Sequence, residues 1–180
     1  ATGAEREIID PEKEFSRAHY EQHMHVGGTL TVEGESIAID GLGLRDHSWG
    51  PRYWQALKYY RWLTCNFGPD LGFMASETVD HQDVRRETGA VVRGQTLVNV
   101  KTVNIKTGYV PDTLYHRTLT VTLGLENGES LTVEGSVKAF VPLRNRRAGM
   151  VTHIGEGMTE YCLGDRVGYG LSEYLDQVVQ

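Results

Sequence analysis

The chain has 180 residues, of which 39% are hydrophobic, and its formal net charge is -6 at pH 7. This length is typical of one domain with an interior large enough to form a core. No apolar run approaches the ~18 residues that a membrane-spanning helix requires, so we expect no membrane span. The dense basic cluster at Arg144–Arg147 is too short to indicate nucleic-acid binding, and we expect a solvated loop there.

The cysteines and the N-terminal sequence bear on the redox state and the compartment. Cys65 and Cys162 stand in apolar runs, and no CxxC pair is present. This pattern favours buried thiols over a disulfide framework or a zinc site. The first residues lack the charged start and apolar stretch of a signal peptide, which predicts a cytoplasmic protein.

The composition divides the chain into an arm and a domain. Residues 1–18 are polar, and Asp10 followed by Pro11 is typical of a helix N-terminus. We therefore expect an N-terminal arm, linker or short helix, followed by one domain over residues 19–180.

Short β-type segments separated by turn residues occupy the rest of the chain. The clearest hairpin signal is Asn127-Gly128, because Asn-Gly is a preferred two-residue turn. The motif after residue 42 and the charged residues 80–88 are expected as connections. The predicted strands are 26–32, 36–42, 59–67, 71–79, 90–92, 97–106, 119–125, 130–140, 150–163 and 167–175. About nine or ten strands with hairpin-length connections predict an all-β antiparallel barrel or sandwich.

A His-x-His pattern precedes the first predicted strand. In an extended chain, Glu21, His23 and His25 project to one face. Two imidazoles at this spacing can bind a metal, with His47 or His153 as a distant third ligand. Hydrogen bonding inside a polar barrel is the favoured interpretation, so His23 and His25 are weak metal candidates.

The densest group of polar and aromatic side chains spans residues 41–54. Asp46, His47 and Ser48 are adjacent, and neighbouring side chains of an extended segment point in opposite directions, which excludes a catalytic triad. Asp46 or His47 remains a candidate proton donor or acceptor. The alternative is a structural network in which Asp46 pairs with an arginine.

Aromatic residues and glutamates extend this candidate site. Core packing is the default role of Trp49, Trp54 and Trp62, although aromatic faces can also line a ligand pocket or shelter a cation. Two glutamates near the C-terminus alternate with aromatics. We expect Glu160 on the surface, whereas Glu173 could point inward, where burial would raise its pKa.

The residues from Gly41 to Arg52, which read Gly-Leu-Gly-Leu-Arg-Asp-His-Ser-Trp-Gly-Pro-Arg, resemble a signature of one superfamily. It is the carotenoid 1,2-hydratase (hydroxyneurosporene synthase) and AttH-like superfamily. The segment from Gly168 to Tyr174 is similar to the closing strand of its members. The resemblance implies a lipocalin-like β-barrel corresponding to the C-terminal one of two barrels. A second lipocalin-like barrel on another chain, or a homodimer, would then be a partner.

The resemblance also implies an apolar, unsaturated small-molecule substrate. The hypothesis from the sequence is a hydratase-type lyase for an isoprenoid-like alkene that needs no cofactor. Asp46 would be the acid and His47 would orient it or handle the water, while the three tryptophans shield the cation and Arg52 fixes the loop. The alternatives are a pericyclase-like catalyst that acts by shaping its substrate and a non-catalytic carrier of an apolar metabolite.

Overall fold

The computed structural model describes residues 14–147 and 149–178, and this part of the chain forms ten antiparallel strands with a single turn of 3-10 helix at Trp54–Ala56. The all-β prediction is confirmed. No helix among these residues is long and apolar enough to cross a membrane. The strands are β1 (Ala18–Val32), β2 (Glu35–Trp49), β3 (Leu57–Gly68), β4 (Leu71–Asp80), β5 (Arg85–Arg93), β6 (Thr96–Tyr109), β7 (His116–Leu125), β8 (Ser130–Arg147), β9 (Met150–Leu163) and β10 (Arg166–Val178).

Eight strands close into a barrel. Each strand from β3 to β10 pairs with the next along the chain, and β10 pairs with β3 to complete the circle. Side chains alternate between the interior and the outer wall, so Leu63, Cys65 and Phe67 of β3 pack inward. They belong to an apolar cluster that includes side chains from every barrel strand. The barrel interior around these three residues is therefore a packed core.

The remaining two strands form a separate hairpin. β1 and β2 pair along their whole length, from Ala18 opposite Trp49 to Val32 opposite Glu35. The turn residues Glu33 and Gly34 both have positive φ, at 51° and 86°, which matches a two-residue turn suited to strand twist. Both sheet edges of the hairpin lack a strand partner among the described residues.

A small apolar cluster on the outer wall holds the start of the described chain against the barrel. Tyr60, Ile154 and Leu175 are buried there, with Phe15 and Trp54 packed on them. We call these five residues the outer cluster. Phe15 stands three residues before the start of β1, so the cluster anchors the chain to the barrel just before the hairpin begins.

Three predictions about local structure need correction. The motif up to Trp49 is strand rather than loop, since it pairs with β1 throughout. Arg144–Arg147 is the end of β8 rather than a loop, because its backbone continues pairing with β9 while its side chains reach solvent at the barrel end. The connection expected over 80–88 is shorter, because β5 already begins at Arg85.

Other local predictions are confirmed or lie outside the described residues. The Asn127-Gly128 turn is present, with Gly128 at φ 88° and the Leu125 amide donating to the Glu129 carbonyl. Cys65 and Cys162 are free thiols, the first buried and the second half-buried. The expected helix start at Asp10 and Pro11 lies outside the described part of the chain.

Candidate active site at the hairpin junction

One face of the hairpin carries several of its histidines and carboxylates. His19, Glu21 and His23 alternate along β1 and therefore share a face. Asp46 of β2 lies directly opposite Glu21 in the pairing register, so its side chain is on the same face. The hairpin thus presents two imidazoles and two carboxylates towards the barrel.

The outer wall of the barrel supplies the complementary residues. The indole Nε1 of Trp62 donates a hydrogen bond to Glu21 Oε1 at 2.8 Å, and His23 Nδ1 pairs with Asn66 Oδ1 at 2.6 Å. A Cβ at Gly72 would lie 2.8 Å from the His23 ring, so glycine at this position gives the imidazole its space. We define the hairpin junction as His19, Glu21, His23 and Asp46 of the hairpin with Trp62, Asn66 and Glu173 of the barrel wall.

Glu21 is the covered carboxylate of this group. Its side chain is 8% exposed, and Oε2 has no hydrogen-bond partner among the described residues. His19 Nε2 lies 2.5 Å from Asp46 Oδ2 and 3.5 Å from Glu21 Oε1. The His19 and Asp46 side chains are 37% and 44% exposed. Burial raises the pKa of Glu21 above its usual value. The junction is therefore closed at Glu21 and open to solvent at His19 and Asp46.

Glu173 also faces the hairpin. It pairs directly with Trp62 across β10 and β3, so both side chains leave the barrel wall on the side that Glu21 covers. Burial raises the pKa of Glu173 to about 7, the negative charge of Asp46 adds to the rise, and the positive charge of Arg52 opposes it. At neutral pH a substantial fraction of this carboxyl group keeps its proton.

Glu160 shows the contrasting environment on the neighbouring strand. Its carboxylate pairs with Lys138 Nζ at 2.8 Å and accepts a hydrogen bond from the Tyr169 hydroxyl. Both contacts lower its pKa. Glu160 lies at the surface, as expected, and is a matched reference for Glu173.

The other predicted residues of the motif lie elsewhere. His47 is opposite Tyr20 on the outer face of the hairpin, where its ring centroid is 5.6 Å from that of Tyr20 and 5.3 Å from that of Trp49. Trp49 is 52% exposed. Asp46 and His47 are therefore on opposite faces, and only Asp46 belongs to the junction.

Arg52 and Trp54 contact the start of the described chain. The Arg52 guanidinium donates to the Phe15 carbonyl at 3.3 Å and lies 4.6 Å from the centre of the Phe15 ring. Trp54 packs in the outer cluster. Both also line a surface cleft of about 270 Å³ with Gln55, Asn145 and Arg147.

The weak metal candidates are not brought together. His25 pairs with Asp40 at 2.7 Å near the exposed part of the hairpin, while His23 is bound to Asn66. His153 is buried in the barrel and stacks on Tyr115. A different trio, His19, Glu21 and Asp46, places one donor atom from each residue within 4.8 Å of the others. The alternation of His19 with Glu21 was a usable signal, but only the β1–β2 register adds Asp46.

The open end of the barrel holds a second polar group that sequence reasoning missed. Arg61 and Asp176 form an ion pair at 2.8 Å, with the Arg61 guanidinium 4.3 Å from the centre of the Tyr174 ring. His116 stacks on Tyr174 at 4.0 Å and hydrogen bonds to Ser172, and burial lowers its pKa to about 4. Arg61, Asp176 and His116 Nε2 have partners within this group, whereas His116 Nδ1 is buried without a hydrogen-bond partner among the described residues. Because most of its polar atoms are paired within the barrel, we interpret the group as a structural network.

Comparisons with known proteins support the fold. The structure is similar to the crystal structure of a proposed AttH from Nitrosomonas europaea, with a TM-score of 0.56 and 20% sequence identity over 89% of this chain. The match covers 52% of that protein, so this chain spans about half its length. The likeness confirms an AttH-like, lipocalin-like barrel, while the carotenoid hydratase assignment and the C-terminal placement stay predictions.

The remaining comparisons concern the sequence itself. No curated protein matches the chain. A family profile described as "Domain of unknown function (DUF7064)" matches residues 3–178. Since the match spans nearly the whole chain, the protein belongs to the DUF7064 family.

Proposed function

We propose that the protein is a hydratase or dehydratase-type lyase acting on an alkene of an isoprenoid-like or other apolar small molecule. The observation that carries the proposal is the position of Glu173. Its carboxyl group lies on the outer wall of the barrel and is the direct cross-strand neighbour of Trp62, whose indole binds Glu21 of the hairpin. A carboxylic acid that keeps its proton next to an aromatic face is suited to protonate an apolar substrate. The lipocalin-like fold, which suits apolar ligands, supports the substrate class.

The reaction needs one acid and one base. In the hydration direction, the Glu173 carboxyl gives its proton to one alkene carbon, and the electron pair of the double bond forms the new C–H bond. Water then attacks the cationic carbon and loses a proton to the His19–Asp46 pair, whose atoms are 2.5 Å apart. The proton returns to Glu173 through solvent, and dehydration follows the same steps in reverse. General acid catalysis of this kind contributes typically 10²–10⁴-fold.

The roles differ from those expected from the motif alone. Asp46 serves as part of the base rather than as the acid, because it is open to solvent and paired with His19. Trp62 shields the cation. His47 and Trp49 provide an aromatic approach surface on the outer hairpin face, and Arg52 with Trp54 anchors the segment that leads into β1.

Matched glutamine variants test this assignment. A panel of isoprenoid alkenes and their tertiary alcohols is incubated in ¹⁸O-labelled water, and label incorporation is followed by mass spectrometry. We expect Glu173→Gln to lose about 10²–10⁴-fold in rate, whereas Glu160→Gln keeps the wild-type rate because its carboxylate is held in a surface ion pair. Full turnover by Glu173→Gln would contradict the acid assignment. If Trp62→Phe alone lost activity, the shape-catalyst alternative would be favoured.

A second candidate function is a non-catalytic carrier of an apolar metabolite. The exposed aromatic cluster of Tyr20, His47 and Trp49 on the outer face of the hairpin favours it. Recovery of one unmodified ligand from the purified protein, without ¹⁸O incorporation into that ligand, would support the carrier. Loss of that ligand in Trp49→Ala would locate its binding surface.

A further inference from the structure

We infer that His19, Glu21 and Asp46 form a binding site for one divalent transition-metal cation, with Zn²⁺ as the probe. Nε2 of the histidine and one carboxylate oxygen from each acid lie within 4.8 Å of one another. The strand register creates this grouping, since Glu21 and Asp46 are direct cross-strand partners and His19 is two residues along the same face. A cation would draw together donors that the backbone already places side by side.

The unpartnered oxygen of Glu21 is the independent observation that points to a ligand. The Glu21 side chain is 8% exposed, and its Oε2 atom has no hydrogen-bond partner among the described residues. Glu21 Oε1 lies 3.5 Å from His19 Nε2, so the carboxylate that carries the unpartnered oxygen belongs to the donor group. A buried carboxylate oxygen without a partner is costly, and a cation bound to this carboxylate would offset that cost. The other oxygen, Oε1, accepts the hydrogen bond from Trp62 at 2.8 Å. This contact orients the carboxylate as the outer-shell partners of metal ligands do.

The donor set determines the class of cation. One imidazole and two carboxylates combine the ligands preferred by zinc with those preferred by manganese, and the two negative charges balance a divalent ion. Three protein ligands leave a position open for water, which is the pattern of catalytic rather than structural zinc sites. The exposed side of the junction, at His19 and Asp46, gives that position access to solvent.

A second histidine–aspartate pair on the same hairpin provides the matched control. His25 Nε2 and Asp40 Oδ1 are 2.7 Å apart, but their side chains are 67% and 87% exposed. Among the described residues, this pair belongs to no group of three donors. The two pairs therefore differ in the presence of a third, buried ligand, which is the feature that the inference depends on.

Zinc binding measured by calorimetry on the EDTA-treated full chain tests the inference. We expect one Zn²⁺ per chain in the wild type, at least a tenfold loss of affinity in Glu21→Gln and Asp46→Asn, and unchanged affinity in His25→Ala. Trp62→Phe removes no ligand but releases Oε1, so we expect an affinity loss of about 10–100-fold. Circular dichroism confirms folding of each variant, and Trp62→Phe decides the test if Glu21→Gln does not fold.

Two results would overturn the site. One is the absence of saturable Zn²⁺ binding in the wild type, and the other is unchanged affinity in Asp46→Asn together with loss in His25→Ala. The inference does not rest on the proposed lyase activity, because binding is read directly without a substrate. A cation on His19 Nε2 would occupy the lone pair that accepts the proton in the proposed reaction, so the metal-bound and proton-accepting states of the junction exclude each other. Failure of metal binding would leave the role of Glu173 intact, and loss of activity in Glu173→Gln would not report on the metal.

Discussion

The barrel and the hairpin differ in where their side chains go. In the barrel, large apolar residues such as Leu63 and Leu123 are fully buried. In the hairpin, Leu30 and Ile37 are each 49% exposed, and neither sheet edge has a strand partner among the described residues. Stability is therefore concentrated in the barrel, while the residues proposed for acid–base chemistry lie on the hairpin and on the barrel wall that it contacts.

This division explains why a polar site can form on the outside of a barrel whose inside is packed. The hairpin converts part of the outer wall into a half-buried surface, and Trp62 and Asn66 bind it there through two side-chain hydrogen bonds. Sites that must open for a substrate are generally drawn from such weakly held elements. We therefore expect matched substitutions in the barrel and in the hairpin to have different effects.

The largest difference is expected for leucine truncation. Leu63→Ala removes a fully buried side chain from the barrel core and should cost about 2–5 kcal/mol of unfolding free energy. Leu30→Ala in the exposed part of the hairpin should stay within about 0.5 kcal/mol. Urea unfolding monitored by tryptophan fluorescence measures both. Equal losses would show that the hairpin contributes to the same cooperative core.

The barrel should also make a contribution to stability that is lost in acid. Burial lowers the pKa of His116 from 6.5 to about 4, so the unfolded chain binds a proton more readily than the folded one. Stability should fall as the pH drops from about 6.5 to 4, by about 2–3 kcal/mol for this residue. His116→Gln should remove this slope, and His25→Ala, at an exposed position, should keep it. Equilibrium unfolding at several pH values makes the comparison.

Hairpin attachment should depend on one tryptophan and not on another. Trp62→Phe leaves the buried Glu21 carboxylate without its indole donor, which should cost about 1–3 kcal/mol and speed amide exchange in β1. Trp49→Phe, at a 52% exposed position, should change neither quantity. Hydrogen exchange detected by mass spectrometry resolves the hairpin from the barrel. Unchanged exchange in β1 of Trp62→Phe would mean that other contacts hold the hairpin.

A pH dependence of the opposite sign is expected for Glu173 itself. Its folded pKa of about 7 exceeds its ordinary value of 4.5, so the folded state keeps a proton that the unfolded chain has lost. Its contribution to stability therefore declines between about pH 4.5 and 7 and stays at its lowest above pH 7. Glu173→Gln should gain about 2–3 kcal/mol relative to wild type at pH 8 and little at pH 4.5. Denaturant midpoints of the EDTA-treated proteins at these two pH values test the sign.

Much of the fold could be predicted because each barrel strand carries a local signal. Alternating apolar residues and turns such as Asn127-Gly128 predicted an antiparallel barrel or sandwich of about nine or ten strands. The structure has ten strands, of which eight close into the barrel and two form the separate hairpin. The charged segments were harder. Arg144–Arg147 extends a strand because β9 supplies its backbone partners, and charge density alone does not report on that pairing.

The site was predictable only in part. The motif drew attention to Asp46, and adjacency in sequence suggested His47 as its partner, whereas strand alternation places His47 on the other face of the hairpin. The actual partner is His19, which meets Asp46 only through the register of the hairpin. Glu173 was a candidate from its alternation with aromatics, but its pairing with Trp62 places its side chain on the outer wall rather than in the barrel interior.

The central claim is that Glu173 is a proton-bearing acid at the hairpin junction. Carbon-13 NMR titration of labelled glutamate carboxyl groups tests it most directly, with the Glu173→Gln and Glu160→Gln variants assigning the two signals. We expect Glu173 to titrate near pH 7 and Glu160 below its ordinary value of 4.5. A Glu173 signal that titrates at or below 4.5 would contradict the account.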